Sequence, residues 1–428
     1  MYFCRKFETM QLKMAQDVEI MAPVGSYESL MAAIQGGANS VYFGIGKLNM
    51  RSKSSKNFSI DDLKEIANIC KENNIRTYIT LNTVIYDQEL EDMKAIIDAA
   101  KDNDITAIIA ADQSVIHYAF SKKMEIHMST QANITNIEAV KFYSMFADVM
   151  VTARELNLHQ VKAITDTIEK EQIKGPSGNL IQIEIFAHGA LCMAVSGKCY
   201  LSLDLMNSSA NRGACLQPCR RGYDVKDRDS GLELHVDNEY IMSPKDLKTV
   251  DFLDKILYAG VRVLKIEGRG RSPEYVKKVT RVYREAANAF FNGDFTKTNI
   301  ENWNTQLDSV YNRGFWDGYY LGRKTGEWSE RYGSQATRKK IFLGKITNYF
   351  TNLNVAELQI DTNELTVGDE INIVGPTTGV YEDIIKEIRL EFKAVEKAKK
   401  GQAVSFKTKE LVRRGDLVYK LIDVIDPF

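Results

Sequence analysis

The chain has 428 residues, 44% of them hydrophobic and 26% charged, with a formal net charge of −1. That length points to two or three domains, and a charge so near zero excludes a global electrostatic field drawing in nucleic acid, leaving only local basic patches. No apolar run reaches about 18 residues, which excludes a membrane-spanning helix. The N-terminal residues lack the apolar core of a signal peptide, so a cytoplasmic location is expected, where thiols stay reduced.

In chain order, residues 1–17 form a leader. One pattern then repeats: a short buried strand, a polar cap, a helix of crossover length. The strand candidates are residues 18–23 (VEIMAP), 40–44 (SVYFG), 76–82 (RTYITLN), 107–112 (AIIAAD), 125–130 (EIHMST), 148–153 (DVMVTA), 181–189 (IQIEIFAHG) and 261–268 (VRVLKIEG). Helical patterns such as 60–73 and 87–103 lie between them, and Ser26 is an N-cap candidate. Eight β/α units favour a parallel (β/α)8 TIM-like barrel over residues 18–271 rather than an open sheet. A helical extension follows over 272–323, then a polar linker over 324–340. Residues 341–428 change to short strands with Gly-Asp turns, the pattern of a small all-β barrel.

Polar side chains collect where the barrel strands end: Asn82, Asp112, Thr130 and Gln131, Arg154 and Glu155, His188, Glu267 and Arg269. In a TIM barrel this rim carries the chemistry. Helix caps also need Asn, Asp and Ser at such positions, so each residue alone is ambiguous. By position, His188, Glu155 and Glu267 are the candidates for proton transfer. Arg154, Arg212, Arg220, Arg221, Lys265 and Arg269 are candidates for holding a carboxylate or phosphate, or for balancing nearby thiolates. The stretch 311–323, YNRGFWDGYYLGR, is dense in aromatics and Arg; such side chains stack on bases or fill an interface.

Four of the six cysteines, Cys192, Cys199, Cys215 and Cys219, lie within the loop 189–223 that leaves the seventh strand. Their spacing, C-x6-C-x15-C-x3-C, lacks the tight knuckles of structural zinc sites and the spacing of two-cluster ferredoxins. Spacing alone leaves an iron–sulfur cluster, zinc, or reduced or catalytic thiols open. His188 and Cys192 also stand close enough in sequence to form a base–nucleophile pair.

The segment EIFAHGALCMAVSGKCYLS and its continuation NRGACLQPCR resemble the signature of the U32 family of collagenase-like peptidases. APVGSYESLMAAIQGGANSVYFG, LKIEGRGRSPEYV and YNRGFWDGYYLGR are similar to that family too, so the resemblance spans about residues 19–323. The β-rich tail resembles that of its tRNA-hydroxylating subgroup. The resemblance implies an oxygen-independent hydroxylase making 5-hydroxyuridine at the tRNA wobble position, with prephenate as co-substrate. It also implies a [4Fe–4S] cluster on Cys192, Cys199, Cys215 and Cys219. The expected partners are a tRNA anticodon loop and either a second family member or a second copy of the chain. Two alternatives stand beside it: a collagenase-like peptidase, and a zinc-stabilised RNA-binding protein.

Overall fold

The structure is a computed structural model describing residues 17–53, 56–224, 240–323 and 326–424. All of the expected leader except Asp17 lies outside these residues. Seven parallel strands come first: β1 (Glu19–Pro23), β2 (Ser40–Gly44), β3 (Arg76–Leu81), β4 (Ala107–Ala110), β5 (Glu125–Met128), β6 (Val149–Val151) and β7 (Gln182–Gly189). A short strand, β8 (Asp246–Lys248), then runs antiparallel to the end of β7. The next, β9 (Val263–Ile266), pairs in parallel with both β7 and β1 and so closes an eight-stranded ring. Side chains fill the inside of the ring and helices pack on its outside, so these strands are near-continuous apolar runs; every residue of β2 is buried.

The helices are α1 (Tyr27–Gln35), α2 (Leu63–Glu72), α3 (Leu90–Asp102), α4 (Gln113–Ser121), α5 (Ile137–Tyr143), α6 (Leu158–Glu171), α7 (Leu201–Met206), α8 (Leu253–Tyr258), α9 (Pro273–Asn292) and α10 (Lys297–Asp308). Side-chain caps start several of them. Ser26 accepts from Ser29 N at the head of α1, and Asp112 from Ser114 N at the head of α4. Asp112, one of the rim residues expected to carry chemistry, is therefore a helix cap.

Residues 272–323 do not stand apart as an extension. Tyr275, Val279 and Tyr283 of α9 and Trp303 and Leu307 of α10 are buried in the same core as the barrel strands. The helix α9 follows β9 and packs on α1, so it completes the eighth β/α unit. After α10 the aromatic stretch forms β10 (Phe315–Trp316), which pairs with β8. Two of its rings, Trp316 and Tyr320, are core side chains.

The tail is antiparallel: β11 (Arg338–Phe350), β12 (Val355–Ile360), β13 (Glu364–Thr366), β14 (Glu370–Gly375), β15 (Gly379–Ile384), β16 (Ile388–Leu390), β17 (Lys393–Val395), β18 (Lys397–Lys399), β19 (Ala403–Lys407) and β20 (Leu417–Asp423). Eight of these form one sheet in the order β15-β14-β20-β11-β12-β19-β16-β17, and β13 pairs with β18. The first of them, β11, begins inside the expected linker. A separate core including Leu343, Leu358, Ile373 and Val418 holds the tail together. Gln35 of α1 clamps it to the barrel, donating to Thr378 O at 3.0 Å and accepting from Val380 N at 3.0 Å. Among the described residues, no helix is long and apolar enough to cross a membrane.

Candidate functional site at the barrel mouth

A cavity of about 250 Å3 opens at the C-terminal ends of the barrel strands, and Cys192, Cys199, Cys215 and Cys219 all line it. None of the four is in a disulfide. Two glycines let the cysteine segment sit this close. Gly189 has φ +105°, and a Cβ there would meet Glu267 O at 2.3 Å; Gly213 has φ +77°, and a Cβ there would meet Asn49 O at 2.2 Å. Gly213 O also accepts from Ser52 Oγ at 3.0 Å, so the cysteine segment is fastened to the loop after β2. Burial pushes the Cys219 thiol up to about 11 against the pull of Arg220. Burial raises the Cys215 thiol as well, opposed by a hydrogen bond from Gln217 N and by Arg51. Among the described residues, no three His, Cys, Asp or Glu side chains gather around one point tightly enough to ligate a single ion.

The opposite wall is cationic. Along β9 and beyond its end, Lys265, Glu267 and Arg269 face the cavity at alternate positions, as the strand pleat requires. The Lys265 ammonium is 2.7 Å from Glu184 Oε1 and 4.7 Å from the centre of the Tyr42 ring. Arg269 donates to Thr80 Oγ1 at 2.7 Å and Asn49 Oδ1 at 3.1 Å. Arg51 holds Glu267 Oε1 at 2.6 Å, while Tyr42 Oη donates to Glu267 Oε2 at 3.0 Å. Arg154 lies 4.9 Å over the Phe186 ring. The buried Nε atoms of Arg154 and Arg269 have no hydrogen-bond partner among the described residues. Asn82, Ser129 and Gln131 form a hydrogen-bonded polar edge on the same cavity, Asn82 Nδ2 donating to Ser129 Oγ at 3.1 Å.

Of the six expected anion-binding residues, Arg154, Arg220, Lys265 and Arg269 line this cavity, while Arg212 and Arg221 do not. Arg212 is spent on a two-pronged pair with Glu89, at 2.8 and 2.6 Å, and stacks on Tyr86. Arg221 is exposed and contacts Met206 Sδ at 3.7 Å. Arg51, Arg271 and Arg313, none of them among those six, line the cavity as well. Arg51 sits in the loop after β2 with no motif to mark it, and Arg313 in the aromatic stretch 311–323, where base stacking or an interface was expected.

The three expected proton-transfer residues fare differently. Glu267 reaches the cavity. Burial opposes its ionisation, but Arg51 and then Arg269 outweigh burial and hold its pKa at about 2. It is a fixed anion, not a base poised near neutrality. Glu155 is exposed and lies off the cavity. His188 is buried and also lies off the cavity, its Nδ1 3.4 Å from Tyr283 Oη and its ring against Tyr275, Tyr283 and Phe315. Strict alternation after Glu184 and Phe186 would turn it inward. The register of β7 against β9 shifts between Phe186 and His188, and the imidazole turns out toward α9. Burial, then Lys248 and Arg271, lower its pKa to about 3, so it stays neutral. It cannot pair with Cys192 as a base.

The pattern of peptidase family U32 matches residues 25–330. The chain belongs to that family. A protein of Porphyromonas gingivalis named collagenase is 59% identical over 94% of this chain and 98% of its own length. The tRNA hydroxylation protein P1 of Bacillus subtilis is 30% identical over 86% of each chain. A 23S rRNA 5-hydroxycytidine C2501 synthase of Escherichia coli is 32% identical over 72% of this chain and 46% of its own. Named relatives of this chain are thus enzymes of two kinds, one named for proteolysis and one for hydroxylation of RNA. The family match holds the barrel from just after β1, with the cysteine segment, and it ends before the antiparallel tail.

Proposed function

We propose that this chain is an oxygen-independent, iron–sulfur-dependent RNA-modifying enzyme that hydroxylates a pyrimidine at C5, with the wobble uridine of a tRNA as substrate and prephenate as co-substrate. One observation carries the reading: four free thiols from a single segment share one cavity with a cationic wall. Relatives named for tRNA and rRNA hydroxylation add to it.

The donor set fits a [4Fe–4S] cluster. Four free thiols line one cavity, and such a cluster takes one thiolate per iron. Cys192, Cys199, Cys215 and Cys219 would hold it, and it would supply one-electron redox capacity at the cavity wall. Everything else falls to the chain's own side chains. Replacing C5–H by C5–OH withdraws two electrons from the base and adds one oxygen atom, so without O2 the co-substrate must give up an oxygen atom and itself be reduced by those two electrons, a C–OH of the donor ending as C–H. Arg154 and Arg269 bind the two carboxylates of prephenate; guanidinium forks match carboxylates geometrically. Glu267, ionised throughout the physiological range, keeps Arg51 at the edge of the cavity. The Asn82–Ser129–Gln131 edge offers donors and acceptors to a uracil ring. A base must be unstacked to enter, and an anticodon loop already displays unstacked bases.

The test is iron and acid-labile sulfide per chain on protein purified without oxygen, followed by nucleoside analysis of tRNA from a deletion strain. About four of each per chain and loss of 5-hydroxyuridine are expected. Cys215→Ala that kept both the metal content and the modification would end the ligand assignment.

The relative at 59% identity named collagenase supports a second reading, a peptidase. A cysteine peptidase needs a lowered thiol pKa and a base in contact. Here burial raises Cys215 and Cys219, and His188 faces away from the cavity. Cleavage of gelatin by anaerobic, metal-replete protein, abolished in Cys192→Ala, would restore that reading.

A further inference from the structure

The polar edge of the cysteine cavity has a direction, and a backbone group sets it. Met50 N, in the loop after β2, donates to Asn82 Oδ1 at 3.2 Å. A backbone N–H can only donate, so the Asn82 amide is fixed with its oxygen toward Met50 and its nitrogen away. Asn82 Nδ2 then donates to Ser129 Oγ at 3.1 Å and to Gln131 Oε1 at 3.4 Å. Ser129 Oγ spends its own hydrogen on Gln131 Oε1. Both lone pairs of that oxygen are thereby occupied, and the Gln131 amide cannot turn over without setting its NH2 against that of Asn82. Gln131 Nε2 itself has no partner among the described residues. Asn82 and Ser129 are buried, whereas Gln131 is half-buried and lines the cavity. The accessible end of the edge is therefore a pair of N–H donors.

That donor pair is held against the cysteine segment. Gln131 lies in the single 3-10 turn after β5, Thr130–Ala132. Asn133 Nδ2 donates to Gln131 O at 2.8 Å and to Ser196 O at 3.0 Å, and Thr130 Oγ1 donates to Ser196 Oγ at 3.2 Å. Gly197, close before Cys199, has φ +71°, and a Cβ there would stand 3.0 Å from Gln131 Cγ. The stem of Gln131 thus packs on the backbone between Cys192 and Cys199.

Uracil and cytosine share O2 and differ at C4, where uracil carries an acceptor, O4, and cytosine an NH2 donor. O4 is on the carbon bonded to C5, whereas O2 lies across the ring from C5. A grip on O4 keeps the reacting carbon beside the cysteine segment; a grip on O2 turns it away. We propose that Gln131 is the specificity-determining residue of this site: its amide donates to O4 of uracil and meets the NH2 of cytosine donor to donor. A site built to donate rejects a base that offers a second donor, because its own buried polar group is then left unpaired. The inference rests on the RNA-modifying reading and deepens it, naming the residue and the atom by which uridine is chosen over cytidine.

The experiment measures, by fluorescence anisotropy, binding of three labelled anticodon stem-loop RNAs to the full chain purified without oxygen. The RNAs are alike except at the wobble base: uracil, cytosine, or pyrimidin-2-one, which carries only hydrogen at C4. The uracil RNA is expected to bind about tenfold more tightly than the cytosine RNA, with the pyrimidin-2-one RNA between them. This comparison uses the unaltered chain, so its outcome does not depend on how a variant folds. Gln131→Glu puts an acceptor where the NH2 stood; it is expected to weaken all three RNAs and to reverse the preference in favour of cytosine. Gln131→Met, with neither donor nor acceptor, is expected to bring the uracil and cytosine RNAs to roughly equal affinity. Equal binding of those two RNAs by the unaltered chain would overturn the assignment. So would an unchanged uracil-to-cytosine ratio in Gln131→Glu, the result expected if the amide serves a carboxylate of the co-substrate instead. Absence of binding to any of the RNAs sinks the assignment together with the RNA-modifying reading. If uracil is preferred while tRNA nucleosides of the deletion strain are unchanged, the hydroxylation reading fails and the base selection stands. If 5-hydroxyuridine is lost from that strain while the two RNAs bind equally, the base selection alone fails.

Discussion

Inside the barrel, below the cavity, buried and half-buried charges stand in an unbroken row of opposite neighbours. Arg76 lies 3.2 Å from Glu19 and 2.6 Å from Glu125; Glu125 is 3.0 Å from His127 Nε2; Glu184 is 3.8 Å from His127 Nδ1 and 2.7 Å from Lys265. At the mouth three cations instead meet neutral groups, while Arg51 keeps Glu267 and Arg271 and Arg313 share Asp246. Arg154 lies on a phenyl ring, Arg220 on two carbonyls and a hydroxyl, and Arg269 on an amide and a hydroxyl. A buried charge with its counter-charge in the protein is spent on structure, because separating the pair leaves an uncompensated ion in a medium of low dielectric constant. A buried or half-buried cation held by neutral groups keeps its charge for a ligand. The two histidines of β5 and β7 show the same division. His127 sits between two carboxylates; burial alone would lower its pKa, yet Glu125 and Glu184 raise it. His188, equally buried, has aromatic rings and two cations around it, and its pKa falls to about 3.

The largest expected effect comes from breaking the interior row. Glu184→Ala leaves the Lys265 ammonium and His127 buried without it and should cost about 3–5 kcal/mol in urea unfolding. Glu184→Gln combined with Lys265→Met removes the pair together and should cost distinctly less. A double variant as unstable as the single one would show that the row is not held by charge.

Next is the acid limb of stability. His188 has a folded pKa of about 3 against an ordinary 6.5, so the unfolded chain takes up the proton first as pH falls. Its contribution is complete above 6.5 and is lost on going down to about 3, in total on the order of 4–5 kcal/mol. Glu267 works in the same direction over a lower window: its stabilisation is present above 4.5 and is lost as pH falls to about 2. Stability measured against pH in His188→Phe should therefore flatten between 6.5 and 4.5, where Glu267 does not yet titrate. An unchanged slope there would mean that the imidazole is charged in the fold.

Much of this was legible in the sequence, because the barrel writes itself as short apolar runs at crossover spacing. The cysteine cavity was legible for a related reason: four thiols gathered in one loop point to a shared site. Lys265, Glu267 and Arg269 were legible from alternation along a strand end. What was hidden depends on three-dimensional accidents of register and loop path. One register shift in β7 turns His188 out of the barrel, and no residue type announces a shift. The strand β8 is three residues long, below what alternation can reveal. Arg51 enters the cavity from the loop after β2, where it reads as an ordinary surface arginine, and Arg313 from the aromatic stretch after α10, where it reads as a stacking or interface residue. Arg212 was misplaced for the opposite reason: it lies in the cysteine segment but finds Glu89 outside the cavity.

The smallest expected effect on the fold, and the sharpest on the contrast between interior and mouth, belongs to Arg154. Among the described residues no carboxylate pairs with it, and its one named contact is the face of Phe186. Arg154→Ala should therefore change unfolding free energy by no more than about 0.5–1 kcal/mol, the range of an exposed cation–π contact. The same substitution should weaken prephenate binding to cluster-loaded protein about tenfold or more, since a charge-assisted hydrogen bond to a carboxylate is worth about 1.5–3 kcal/mol. Calorimetric titration and urea unfolding of one variant separate these two quantities. A large loss of stability with unchanged affinity would place Arg154 with Arg76 and Lys265 among the structural charges. The opposite outcome, a stable protein that no longer holds its dicarboxylate, is what a cation kept free of protein anions predicts.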